Sequence, residues 1–258
     1  MKLLLDHGAL ILLVSAVSIF LLAVQVNYLV WVLLFYAVPI LYLAFRKPCV
    51  IKPAIMPALV FGFLFGLSFE YLNEIGGTWI FPLQHLFLAP NLFFDLIPGE
   101  VMLWYFLWAF FVVEYYEYFI DRPTSCTFSY RRIGIALALG FFALAIIVFF
   151  EYWLGKSIVL PFAYLITGLA ALIPLVFLFI RRKKLFPKLA LTIPFLTLFF
   201  LIMEYVALAG NYWQFTGEYI FAIPYFGYLL PIEELIFWII LSPAVIAGYH
   251  ELFLDDEV

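Results

Sequence analysis

Eight long apolar runs, near 8–24, 27–45, 54–71, 98–120, 133–152, 158–180, 189–207 and 230–250, leave this chain little choice of fold. Each approaches the roughly 20 mostly apolar residues that cross a bilayer as a helix. Backbone polar groups in hydrocarbon must be satisfied internally, so only helices and closed barrels span membranes; a barrel would show short alternating strands instead. Composition agrees. The 258 residues are 68% hydrophobic and 12% charged, too little polar surface to cover a water-soluble globule. The expected fold is an all-α membrane protein of about eight transmembrane helices in one bundle.

The placement of Lys and Arg predicts orientation. In the eight-helix layout Lys2, Arg46, Lys47, Lys52, Arg122, Arg131, Arg132, Arg181, Arg182, Lys183, Lys184 and Lys188 share one side, and Lys156 stands alone opposite. Both termini are therefore expected in the cytoplasm, with the chain a multi-pass protein of the cell membrane. The first run has no convincing small-x-small cleavage site and reads as a retained anchor. Cys49 and Cys126 have no metal-ligand spacing and read as reduced thiols.

The chain also repeats itself. FEYLNEIGGTWIF at 69–81 lies over MEYVALAGNYWQF at 203–215 at one constant offset, pairing Glu70 with Glu204, Gly76 with Gly210, Trp79 with Trp213 and Phe81 with Phe215. After a one-residue slip, IPGEVMLWYF at 97–106 lies over LPIEELIFWI at 230–239, pairing Glu100 with Glu233. Two four-helix repeats are expected, 1–125 and 126–258, with the boundary in the polar segment 121–132. An even number of helices per copy makes the repeats parallel, about an axis along the membrane normal.

Glu70, Glu100, Glu204, Glu233 and Glu234 border the aromatic loops 72–97 and 206–229, so topology puts them in one layer. A charged acid at the centre of a membrane helix costs about 3 kcal/mol on insertion scales, which makes such residues functional candidates. The plain alternative is capping: Glu100, Glu233 and Glu234 follow a proline at a helix start, where a carboxylate complements the helix dipole. Duplication favours function for the set. Buried carboxyl neighbours resist joint ionisation, so one of a close pair stays protonated, a proton donor in an apolar setting. Trp79, Phe81, Trp104, Tyr105, Trp213, Phe215, Phe237 and Trp238 lie in the repeated motifs, and aromatic faces stabilise cations away from water. Glu114, Glu117, His250 and Glu251 read as interfacial, and His85 as incidental. There is no GxGxxG, P-loop, HExxH or Asp-rich metal motif, which argues against nucleotide-driven, metal-dependent and prenyl-diphosphate chemistry.

Glu204-Tyr-Val-Ala207, Gly210, Trp213 and Phe215, then Pro231-Ile-Glu233-Glu234, Phe237, Pro243 and Tyr249-His-Glu251, resemble the small membrane-integral lycopene cyclases, whose heterodimeric members have fused tandem relatives. The second half matches both blocks of that family and the first half more loosely. Glu100-Val101 stands for the family's Glu-Glu, and Glu70 and Glu204 stand for its aspartate. The resemblance implies carotenoid biosynthesis by acid–base, non-redox cyclisation. A protonated carboxyl attacks the terminal double bond of linear lycopene, the neighbouring double bond traps the cation, and proton loss closes a β-ionone ring. It implies Glu233 as leading donor or base, Glu234 as its partner, Glu100 as counterpart, and Glu70 and Glu204 as tuning or relay groups. The aromatic set, Trp79, Phe81, Trp104, Trp213, Phe215, Phe237 and Trp238, would line the substrate site. The expected partners are a C40 carotenoid in the lipid bilayer and other carotenoid-pathway enzymes, with no nucleic acid. No cofactor or metal is evident from the sequence, and a bound flavin stays open. A carotenoid end-group hydratase, a proton-coupled transporter of a lipophilic solute and a non-catalytic partner subunit are the alternatives.

Overall fold

The computed structural model describes residues 2–87, 96–121 and 132–254. Eight helical runs dominate the described residues: α1 (Lys2–Ala23), α2 (Tyr28–Arg46), α3 (Pro48–Ile75), α4 (99–121), α5 (Ile133–Trp153), α6 (Ala163–Arg181), α7 (Lys183–Ala209) and α8 (Ile232–Leu252). All but α4 are long and apolar enough to cross a bilayer, and the chain is a multi-pass helical membrane protein. The segment expected to separate two repeats falls mostly in 122–131, outside the described residues, as does Cys126.

Burial sorts the helices into centre and rim. Every residue of α4 from Trp108 to Phe119 and of α8 from Ser242 to His250 is buried, so these two form the axis of the bundle. By contrast α1, α5 and α6 expose large apolar side chains outward, among them Leu12, Phe142 and Phe177, as lipid-facing helices do. Close approach at the centre depends on a small residue. A Cβ on Gly62 of α3 would sit 2.5 Å from the carbonyl oxygen of Tyr105 on α4, so nothing larger fits that crossing.

Helices α3 and α7 end alike. Gly76 and Gly210 are the last right-handed residues, and Gly77 (φ 65°) and Asn211 (φ 55°) turn left-handed after them. Thr78 N–H then donates to Asn73 and Tyr212 N–H to Ala207, closing a Schellman turn in each case. The conformation needs Gly, or Asn as the tolerated substitute. Each turn sends the chain back over its helix end. Two short strands, β1 (Trp79–Ile80) and β2 (Gln214–Phe215), then pair antiparallel, Trp79 opposite Phe215 and Ile80 opposite Gln214. A hairpin of β3 (Ala222–Tyr225) and β4 (Tyr228–Pro231) leads into α8. These ladders were not expected of an all-α chain; they satisfy backbone groups of the aromatic loops where no helix is available.

At the opposite end the interfacial reading of Glu114, Glu117 and His250 is corrected, since all three are buried. Tyr116 shares a 2.7 Å hydrogen bond with His250, and the Tyr249 hydroxyl donates to Glu117 at 2.7 Å, locking α4 to α8. Glu251 instead pairs with Arg181 and Arg182 near the surface. Asp6 joins α1 to the same end, accepting from Tyr118 and Tyr42 and pairing with Arg46 at 2.6 Å.

Candidate functional site

The Schellman turns aim two indoles at two acids. Trp79 Nε1 donates to Glu70 at 2.8 Å and Trp213 Nε1 donates to Glu204 at 2.7 Å, each nine residues after its glutamate. Glu70 receives a second donor, the Tyr105 hydroxyl of α4, at 2.7 Å. Both of its oxygens are thus held by groups that favour the carboxylate form. Glu204 has no such second donor. Its Oε2 finds no hydrogen-bond partner among the described residues, and its carboxyl lies near enough to that of Glu234 on α8 for the two to interact. A buried pair of carboxyls that interact needs a proton between them, since two bare carboxylates would only repel. Glu234 also accepts the Tyr164 hydroxyl from α6.

Glu70 and Glu234 face one cavity of about 60 Å³, room for a few waters. Its walls are aromatic: Trp79 and Phe81 from the first loop, Trp213 and Phe215 from the second, Trp104 and Tyr105 from α4, Trp238 from α8, with Tyr28, Phe69 and Tyr164. Val101 lines the wall where the sequence repeat would place the counterpart of Glu234. Ring contacts fix this lining: Trp79 meets Tyr164 edge-on at 5.1 Å, and Trp104 meets Trp238 at 5.9 Å.

Six of the seven aromatic residues expected at the site therefore surround the cavity. Phe237 stands behind the wall, packed on Tyr164 at 4.9 Å, where a Cβ on Gly168 would overlap its ring. Glu233 and Glu100, expected to lead the chemistry, do not line the cavity. Each accepts a backbone N–H thirteen residues earlier at 2.6 Å, Glu233 from Ile220 and Glu100 from Phe87, and so tethers an aromatic loop to a helix start. Adjacent residues on a helix point about 100° apart, which is why Glu234 enters the cavity and Glu233 does not.

Sequence reasoning missed Tyr28, Tyr164 and Glu74. The Glu74 carboxyl interacts with that of Glu70 one turn away, and the four-residue spacing of the two acids on one helix was the available signal. Outside the spans, Tyr219 donates to the carbonyl of Thr78, bracing one loop on the other, and burial raises its hydroxyl above the ordinary tyrosine range. No group of acids, His and Cys among the described residues is arranged to hold a metal ion. Comparison of the chain with family models, with curated proteins and with solved structures finds no match.

Proposed function

We propose that this protein is a membrane-integral carotenoid cyclase of the lycopene β-cyclase kind, working by acid–base catalysis without net redox. One observation carries the reading: two buried carboxyl groups in different hydrogen-bonding states face a single cavity walled by tryptophan, tyrosine and phenylalanine. The Glu204–Glu234 pair holds the proton and Glu234 delivers it to the terminal double bond. Ring faces of Trp79, Trp104, Trp213 and Trp238 stabilise the cation formed when the neighbouring double bond closes on it. Glu70, held by Trp79 and Tyr105, accepts the proton lost as the ring double bond forms. Phe237 props Tyr164, while Glu100 and Glu233 position the loops that carry the wall.

The matching turns, indole–carboxyl bonds and loop tethers on 1–125 and 126–258 support two parallel four-helix repeats sharing this one site. Charge bias supports cytoplasmic termini, with the site toward the far side. The cavity, partly open, is smaller than a cyclised end group, so the half-buried rings of Phe81 and Phe215 in its wall would have to turn aside to admit one.

The test is to express the chain in a lycopene-accumulating bacterial host and identify the extracted pigments. Cyclisation gives a product of unchanged mass with absorption at shorter wavelength. A product heavier by water would move the reading to a hydratase, and untouched lycopene with the protein well inserted would contradict it.

A further inference from the structure

A sealed carboxyl layer that moves protons still has to equilibrate with water. Glu70, Glu100, Glu204, Glu233 and Glu234 are at most 4% exposed. Glu74 differs from all of them in being partly exposed. It sits on the last turn of α3, one turn beyond Glu70 and on the same helix face, where the two carboxyls interact. Among the described residues, Glu70 is the titratable group that acts on it.

The surface just past this turn is open, although Glu74 itself is not on the wall of the hollow there. Directly after this turn, Gly76 and Gly77 wall a hollow of about 570 Å³ together with Pro161, Thr216, Gly217 and Glu218. On the other side of the site the described residues place no acid at the equivalent position. Leu208, buried, takes the place of Glu74 one turn beyond Glu204, whose Oε2 finds no hydrogen-bond partner among the described residues. One carboxyl pair is thus open to the surface and the other is closed.

We propose that Glu74 is the proton port of this site, exchanging with water at the loop-side surface and passing protons to and from Glu70 one helical turn away. The inference rests on the acid–base reading of the cavity. The steps balance. The Glu70–Glu74 pair holds one proton at rest, on the Glu74 side: when Glu70 gains the proton lost by the ring-closed cation, Glu74 releases its own to water and takes the one on Glu70, and the reverse sequence reloads the pair. Water in the cavity then carries that proton to the Glu204–Glu234 pair, and one turnover consumes no net proton.

The test reads exchange rather than turnover. Purified protein is moved from H₂O into D₂O, and the infrared carbonyl band of protonated carboxylic acids is followed as it shifts. Glu74→Gln keeps the size of the side chain but cannot relay a proton, and is expected to slow exchange about a hundred-fold, the low end of what removing a proton-transfer group costs. Glu74→Asp, shorter but ionisable, is expected to restore most of the rate. Should Glu74→Gln fail to fold, Glu70→Gln cuts the same route one step inward, and the remaining Glu204–Glu234 band must then exchange slowly. Wild-type exchange rates in either Gln variant would overturn the port. Because substrate is absent, slow exchange in a protein that cyclises nothing would keep the port and remove the cyclase reading. Cyclisation with unchanged exchange would do the reverse.

Discussion

Replacing Glu234 with Gln separates the geometry from the sequence motif, because its neighbour Glu233 carries the same motif without facing the cavity. The amide has the size of the acid, and its carbonyl oxygen still accepts the Tyr164 hydroxyl, so the bundle is expected to fold normally. What disappears is the proton. Loss of a general acid costs about 10²- to 10⁴-fold in rate, or roughly 3–5 kcal/mol of barrier. In Glu233→Gln the amide oxygen keeps the bond from Ile220 N–H, and a charge-assisted bond becomes a neutral one. That difference is about 1 kcal/mol, a factor of about five at most, and it falls on loop stability. The assay is pigment conversion in isolated membranes, normalised to folded protein by size-exclusion chromatography in detergent. An active Glu234→Gln beside an inactive, well-folded Glu233→Gln would refute the assignment and return Glu233 to the lead.

Tyr105→Phe removes one of the two donors on Glu70; a hydrogen bond to a charged group is worth about 1.5–3 kcal/mol, so the cyclisation rate is expected to fall about 10- to 100-fold with folding intact, read in the same membranes. Gly77→Ala forces a Cβ into the left-handed region at φ 65° and is expected to destabilise by about 1–2 kcal/mol, whereas Asn211→Gly at the matching turn is expected to leave stability nearly unchanged. Thermal unfolding in detergent checks both, and equal melting temperatures for Gly77→Ala and the parent would contradict the Schellman reading.

Much of the fold was legible because the bilayer imposes its own ruler. The apolar runs gave the helices to within about six residues, and the paired motifs around Glu70 and Glu204 pointed to the two acids that Trp79 and Trp213 hold. The pairing of β1 with β2 was not legible, because Trp79 and Phe215 lie far apart in the chain and two-residue strands leave no alternation to read. Neither was the division of labour between Glu233 and Glu234, which turns on a single residue's rotation about the helix axis. Tyr164 and Glu74 were missed for a different reason. Both stand where the two copies differ, opposite Val30 and Leu208, so a search by duplication passed over them. Glu114 was misread as interfacial because nothing in the run VVEYYEYF shows that α4 is surrounded by other helices rather than lipid.

The most direct test of the central claim is the isotope content of the product formed in D₂O. If a carboxyl of the Glu204–Glu234 pair protonates the terminal double bond and Glu70 removes a different proton, each ring formed in membranes equilibrated with D₂O takes one deuterium from solvent, and mass spectrometry of the cyclised pigment should show that gain. A cyclised product without solvent deuterium, formed by a protein whose carboxyl band has already exchanged, would contradict protonation by these glutamates.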